Sequence, residues 1–370
     1  RRQSPAPAHS FRRKMATAGI VPYVRNCMSN KRGRSSMRVC VVGGTGNIST
    51  GIVKALLAFG HEVSVFTRGQ RESRLPDGVR YLHGDRKDRP AFEAAMQAER
   101  FDAAIDMISY TADDAASALR AFRDVKHLIH CSTVCTFGGP LLSVPADETE
   151  PLRPITDYGR NKVAADALLR EAHARGEVPV TIFKPASTWG PGMAVIRQLA
   201  FDPLWIDRLR KNKPIIVSGD GENLWSLCHS DDAGVAFAAA VDRSICKGQD
   251  YIVTGPRYIT WQSYHERINA ILGSKSEIVH VPADAILASP MGPRCGLLSS
   301  QARWNQCYDV SKLLRDIPEF QPHIELEDGV PANIAWMDRH NLIANSDSDG
   351  IEDRLIAAQR RVPAWSTREV

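Results

Sequence analysis

Apolar and polar positions alternate between two periods along the first half of the chain. Arg38–Gly43 is a short, β-rich apolar run closed by glycine, the pattern of a buried parallel strand. A helical pattern follows at once. Ile48, Ile52 and Leu56 recur at every fourth position, with Val53 and Leu57 beside them, and Gly60 closes the helix at its C′ position. The rhythm continues with strands at Val63–Phe66, Val79–Leu82, Ala103–Ile108, His127–Ile129 and Val180–Phe183. Helices fall at Arg89–Ala98, Asp113–Phe122 and Gly159–Ala174. Strands alternating with helices at this spacing predict an α/β fold with a doubly wound parallel sheet.

Beyond Pro185 the rhythm changes. Proline, glycine and tryptophan become frequent. Short strands are expected at Ile215–Val217 and Tyr251–Val253, and helices at Asp232–Val241 and Trp261–Leu272. The pattern divides the chain into a first domain over 37–185 and a smaller mixed α/β domain over 186–343. Some segments of the second are expected to return to the first sheet. Residues 1–36 read as a basic disordered extension, and 344–370 as a mobile C-terminal tail.

Charge sharpens this division. The 370 residues carry a formal net charge of +5, from 47 basic and 42 acidic side chains. Ten of the basic residues and none of the acidic ones lie in 1–38. The rest of the chain therefore holds 37 basic against 42 acidic residues, a net charge of −5. A nucleic-acid-binding body is disfavoured, and no apolar run is long enough for a membrane span. The Arg- and Ser-rich, acid-free start has the composition of a mitochondrial transit peptide; otherwise a cytoplasmic protein is expected. Met37 is one of three candidate initiators. The eight cysteines lack C-x-x-C pairs and no histidine pattern accompanies them, so no metal site is expected.

Gly43-Gly-Thr45-Gly46-Asn47-Ile48-Ser49 lies between the first strand and first helix. A helix N-terminus offers free N–H groups and a positive dipole end, and small residues let a pyrophosphate approach them. This placement predicts a Rossmann-type dinucleotide site. At the end of the second strand, where an acid would hold the ribose hydroxyls of NAD, stands Arg68. Its guanidinium favours NADP over NAD, unless it is a plain surface residue. Asp85, after the third strand, is placed either to accept from the adenine amino group or to cap the next helix. Met107 and Ser109, at the end of the fourth strand, and Pro185 complete the expected cofactor set.

Tyr158-Gly-Arg-Asn-Lys162 puts a phenol and an ammonium on one helix face. A nearby lysine charge is expected to lower the phenol's pKa and suit it to proton transfer at a carbonyl or alcohol oxygen. Upstream, the strand ending in Cys131-Ser132-Thr133 supplies a hydroxyl to polarise the same oxygen. His229-Ser-Asp231-Asp232 precedes a helix that either aspartate is expected to cap.

Gly43–Gly46, the Ser132-Thr133…Phe137-Gly138 stretch and Tyr158-x-x-x-Lys162 together resemble the extended short-chain dehydrogenase/reductases, the group that includes nucleotide-sugar epimerases and dehydratases. The resemblance runs from about Met37 to about Trp336. It implies that Thr133 is the catalytic hydroxyl and Tyr158 the acid/base, and that Lys162 holds the nicotinamide ribose. It also implies a wall for a small-molecule substrate at Ser187 and Trp189, and pairing of two copies through the helix carrying Tyr158. Two departures stand out. Trp225 occupies the place of an arginine that grips a substrate diphosphate, and Val134-Cys135 replace the Asp-Glu of sugar dehydratases. Trp225 is thus expected at a flatter, less charged substrate, or in the core. The expected reaction is hydride transfer between NAD(P) and a secondary alcohol or ketone. An epimerase with tightly held NAD is the alternative, and a non-catalytic NAD(P)-sensing or RNA-binding scaffold a further one.

Overall fold

A computed structural model of the chain describes residues 35–70 and 73–361. The basic extension, on which the transit-peptide expectation falls, lies almost wholly outside the described residues. Twelve strands are present among the described residues: β1 Arg38–Val42, β2 Glu62–Thr67, β3 Arg80–His83, β4 Ala103–Asp106, β5 His127–Cys131, β6 Val180–Pro185, β7 Ser187–Trp189, β8 Ile215–Ser218, β9 Leu224–His229, β10 Asp250–Val253, β11 Tyr258–Thr260 and β12 Ile278–Val281. The helices are α1 Asn47–Ala58, α2 Arg89–Glu99, α3 Ala112–Ala121, α4 Asp157–Ala174, α5 Leu204–Arg210, α6 Ser230–Ala239, α7 Trp261–Ile271, α8 Ala283–Ala288, α9 Ser311–Asp316, α10 Leu326–Arg339 and α11 Ile351–Gln359.

Seven strands form one parallel sheet in the order β10-β6-β5-β4-β1-β2-β3. The order reverses direction between β1 and β4, and ligands of such sheets bind in the crevice there. Alternation along β1 explains the two-sided burial. Val39 and Val41 join one core with Ile52, Leu56 and Phe237. Cys40 and Val42 join the other with Phe92, Phe122 and Leu169. β10 and α6, both beyond residue 185, return to this first body. α1 and α6 meet almost backbone to backbone, because a Cβ on Gly51 or Gly234 would run into the facing helix.

The second body has a three-stranded sheet, β11-β9-β7, and a two-stranded one, β12-β8. Its core gathers Trp205, Trp225, Trp261 and Tyr264. Here the expected mobile tail needs correction. Through Arg361 it is folded, and α11 carries a buried carboxylate, Glu352, 4% exposed. Glu352 takes two bonds from Arg197, at 2.9 and 2.7 Å, and one from the Ile216 N–H at 2.9 Å. The polar composition of 345–353 reads as a solvated tail, but Asp347, Glu352 and Asp353 pair with arginines and lysines more than 130 residues away, and Asp349 pairs with Arg294.

Burial opposes the Glu352 charge, but Arg197 and Arg208 outweigh it and hold the carboxyl below the usual glutamate range. Its stabilising contribution is therefore full above the unfolded value near 4.3 and is lost as pH falls through the lower folded value. Glu352→Ala leaves Arg197 buried without its partner and should cost about 3–5 kcal/mol in urea unfolding at pH 7. The gap between variant and parent should narrow as the pH is lowered.

Candidate active site

The glycine loop lies at the C-terminal end of β1, beside the switch point. Gly43 has φ +80°, and a Cβ there would sit 2.6 Å from Ile108 Cγ2. Gly46 stands at the N-cap of α1, and no side chain caps the helix. Its first N–H groups thus face the crevice without a side-chain acceptor, as an anion site requires. These features fit the pyrophosphate of a dinucleotide. Thr45 and Ile48 flank the loop, and Ile48 also reaches the cavity described below. The Asn47 side chain has a different task. Its amide donates to Gly190 O and Pro191 O, both at 3.1 Å, tying the loop to the second body.

The remaining cofactor residues are spread along the same edge. Arg68 is exposed at the end of β2, with no ion-pair partner among the described residues. Asp85 is exposed and accepts from the Lys87 N–H at 2.9 Å; the cap of α2 is Asp88 instead. The Met107 N–H donates to Val42 O at 3.1 Å. Ser109 is fully buried, and its carbonyl receives Lys162.

A cavity of about 670 Å³ opens beside this edge. Thr133 and Tyr158 line it, with Cys131, Cys135, Pro185 and Ser187. The Thr133 oxygen accepts the Cys135 N–H at 3.1 Å, which leaves its own proton for a second partner. Tyr158 shares this wall, and the nearby Thr133 hydroxyl favours its ionised form. Lys162 is 1% exposed. Its ammonium donates to Ser109 O at 2.7 Å and Cys131 O at 2.6 Å.

The electrostatic expectation for Tyr158 is overturned. The Tyr158 side chain is 43% exposed, yet the protein packed around its hydroxyl pushes the phenol above its ordinary value, and Lys162 is not among the groups that lower it. The i, i+4 spacing does put both residues on one helix face. The lysine amine, however, is spent on carbonyls at the ends of β4 and β5, while the phenol turns toward Thr133. Burial lowers the Lys162 pKa, while Asp106 and Asp166 act in the opposite direction.

Behind the pair lies a charged cluster that the sequence motifs did not reveal. Asp166 accepts from Ser132 Oγ at 2.7 Å, pairs with Lys184 and lies 3.4 Å from His130 Nε2. Asp106 pairs with the buried Arg86 at 2.9 Å.

The substrate wall differs in part from expectation. Ser187 and Trp225 line the cavity, and Trp225 also packs on Trp261 at 4.7 Å. Trp225 is thus a core residue that also borders the cavity. Trp189 does not line this cavity. It is buried edge-on to His229 at 4.7 Å and faces a smaller cavity of about 400 Å³. His229 itself caps α6, accepting the Asp231 N–H at 3.2 Å, while Asp231 pairs with Lys54. Asp232 instead receives the N–H groups of His323 and Ile324. Phe201, Asp202, Arg294, Gln306 and Tyr308 complete the far wall. They come from loops without periodic pattern or motif, so only the fold brings them together.

The fold is that of a dinucleotide-binding sheet with a cavity at its switch-point edge. The NAD dependent epimerase/dehydratase family matches residues 39–254, and the chain belongs to it, as an enzyme of the extended short-chain dehydrogenase/reductase type. It is 30% identical over 335 residues to a 2'-dehydrokanamycin reductase of Streptomyces kanamyceticus, covering 89% of this chain and 93% of that protein. It is 25% identical to the chloroplast stem-loop binding protein of 41 kDa b from Arabidopsis thaliana, over 66% of each chain. Among solved structures, a UDP-glucose 4-epimerase of Stenotrophomonas maltophila with bound NAD matches with TM-score 0.67 and 17% identity, over 82% of this chain and 99% of that one.

Gly44 offers a direct check of the loop. A Cβ there would run into Val65, which is fully buried on β2. Gly44→Val should weaken coenzyme binding at least tenfold by fluorescence titration and cost about 1–3 kcal/mol of stability.

Proposed function

We propose that the protein is an NADP-preferring reductase that converts a ketone on a hydroxylated ring to a secondary alcohol. The observation that carries this reading is the meeting of Thr133 and Tyr158 at the cavity wall, with Lys162 seated behind them. The Streptomyces relative aligned over most of the chain is named for reducing a ketone. Arg294, the arginine of the cavity wall, is already paired with Asp349, which disfavours a substrate diphosphate. That weighs against a nucleotide-sugar epimerase.

In this reading the substrate carbonyl oxygen accepts from Thr133 Oγ1 and from the Tyr158 hydroxyl. The protein packed around its hydroxyl keeps the phenol protonated at neutral pH, the form a general acid needs. The dinucleotide, when bound, supplies the hydride to the carbonyl carbon. Tyr158 then gives its proton to the oxygen, and Thr133 holds the developing charge. Lys162 keeps one ammonium hydrogen free of Ser109 and Cys131, and this is its donor for the ribose hydroxyls. Arg68 would meet the 2′-phosphate of NADP, since no acid stands at the end of β2. Ser187 and Trp225 would contact the ring. A homodimer through α4 belongs to the same proposal.

Tyr158→Phe should lower kcat by about 10²–10⁴-fold with NADPH affinity unchanged. Full turnover by the variant would overturn the assignment. Arg68→Gln should weaken NADPH about tenfold in a fluorescence titration and leave NADH within twofold. Equal effects on both coenzymes would remove Arg68 from the 2′-phosphate site.

A further inference from the structure

The end of β4 is held by a buried ion pair that the proposed reaction does not use. Asp106 closes the strand and is 1% exposed. Its Oδ1 accepts the Ile108 N–H at 3.1 Å, a turn bond that bends the chain where it leaves the sheet. Its Oδ2 lies 2.9 Å from the guanidinium of Arg86, which is also buried. Arg86 donates to Asp114 O, in the first turn of α3, at 2.6 Å, while its Nε and Nη1 have no hydrogen-bond partner among the described residues. The Asp114 carboxylate lies near the same guanidinium, but it is paired with Arg89 and accepts the Tyr110 N–H at 3.1 Å. The segment after Asp106 touches both parts of the coenzyme site. Ile108 packs on the glycine loop, where a Cβ on Gly43 would sit 2.6 Å from its Cγ2. Ser109 O accepts from the Lys162 ammonium at 2.7 Å, and that ammonium lies 5.0 Å from the centre of the Tyr110 ring.

The geometry assigns Asp106 a positioning role: we propose that, anchored by Arg86, it holds residues 107–110 so that the Lys162 ammonium faces the nicotinamide ribose. The proposal rests on the reading of Lys162 as the ribose-holding residue. Electrostatics act in the same sense. Lys162 is faced by Asp106 from β4, Asp166 from its own helix, Cys131 and His130 from β5 and Arg86 from the loop after β3, with the phenols of Tyr110 and Tyr158 beside it. Burial holds Cys131, His130 and Tyr158 in their neutral forms. Burial also lowers the Lys162 pKa, Arg86 adds to that effect, and the two carboxylates oppose it. Loss of the Asp106 charge removes one of those carboxylates and leaves Arg86 unbalanced. Both changes make Lys162 give up its proton at lower pH.

The test is a fluorescence titration of the full chain with NADPH across the pH range, beside heteronuclear NMR of lysine labelled at Cε in the unloaded protein. The Lys162 signal is the one missing from Lys162→Met. Asp106→Asn keeps an acceptor for the Ile108 N–H and removes the charge. It should lower the pH of Lys162 titration by about one unit and move the alkaline loss of NADPH binding down by the same amount. Adding Arg86→Met removes the unbalanced guanidinium, so both midpoints should return part of the way to the parent. The double variant carries no unpaired charge at this pair and serves where the single one does not fold. Asp106→Ala, which also releases the Ile108 N–H, should bind NADPH about threefold more weakly than Asp106→Asn at neutral pH. An unmoved Lys162 titration in Asp106→Asn, no return in the double variant, or equal affinity in the Asn and Ala variants overturns the proposal. A shifted Lys162 titration with an unmoved NADPH limb supports the link from Asp106 to Lys162 and overturns instead the ribose-holding reading.

Discussion

One buried carboxylate, Asp166, fixes the geometry on which the site depends. It lies on α4, one turn beyond Lys162 and two beyond Tyr158, and is fully enclosed. From there it binds Ser132 and His130 on the β5 side and Lys184 on β6. Burial opposes its charge, but the neighbouring His130 and the Lys184 ammonium prevail and hold it far below the ordinary carboxylate range. Such a cluster is a poor source of net stability, since desolvation offsets most of its attraction. Its value is positional. Removing Asp166 or Lys184 leaves the other without its closest buried partner, so α4 has one low-energy register against β5 and β6. Tyr158, Thr133 and Pro185 inherit their places from that register.

The parts legible in the sequence are those that local pattern determines. The buried strand at Arg38, the uncapped helix after Gly46 and the Tyr158/Lys162 helix face each follow from short-range periodicity. What short-range pattern does not carry is where a long side chain ends. Lys162 has the right spacing to lie beside Tyr158, but two carbonyls on neighbouring strands draw its ammonium away. The same limit explains Trp189, whose place against His229 depends on the meeting of β7 with β9. It also explains Glu352. A run of polar residues looks solvated until the fold brings Arg197 and Arg208 to it.

One of the joins between the two bodies is the short loop after β7. Gly190 and Gly192 have φ +131° and +102°, so the chain turns there as only glycine readily permits. The turn exposes carbonyls that polar side chains from both bodies take up. Asn47 and Arg74 reach Pro191 O from the dinucleotide-binding body. Asn333, with its amide nitrogen facing the loop, donates to Met193 O at 2.9 Å and Gly190 O at 3.2 Å from α10. The glycine loop at β1 and the cavity wall at Met193 are therefore mechanically linked by Asn47, whose neighbour Gly46 opens the anion site. A dinucleotide settling on α1 would press on the same loop that borders the substrate.

Charge is arranged along the cavity in the same economical way. Around the reacting centre the ionisable groups are held neutral. The packed protein keeps the Tyr158 phenol protonated, raises the Cys131 thiol to about 11, and lowers His130 so that it stays uncharged. The Lys162 ammonium sits below, enclosed by carbonyls, and the carboxylate of Asp202 lies at the outer wall. A carbonyl bound between them gains negative charge on its oxygen only as it reacts. In a neutral, weakly polar surrounding, the Thr133 and Tyr158 hydroxyls answer that charge more strongly than water would, and they are already oriented. In the reduction proposed above, Tyr158 must begin with its proton, and the protein around its hydroxyl favours that form.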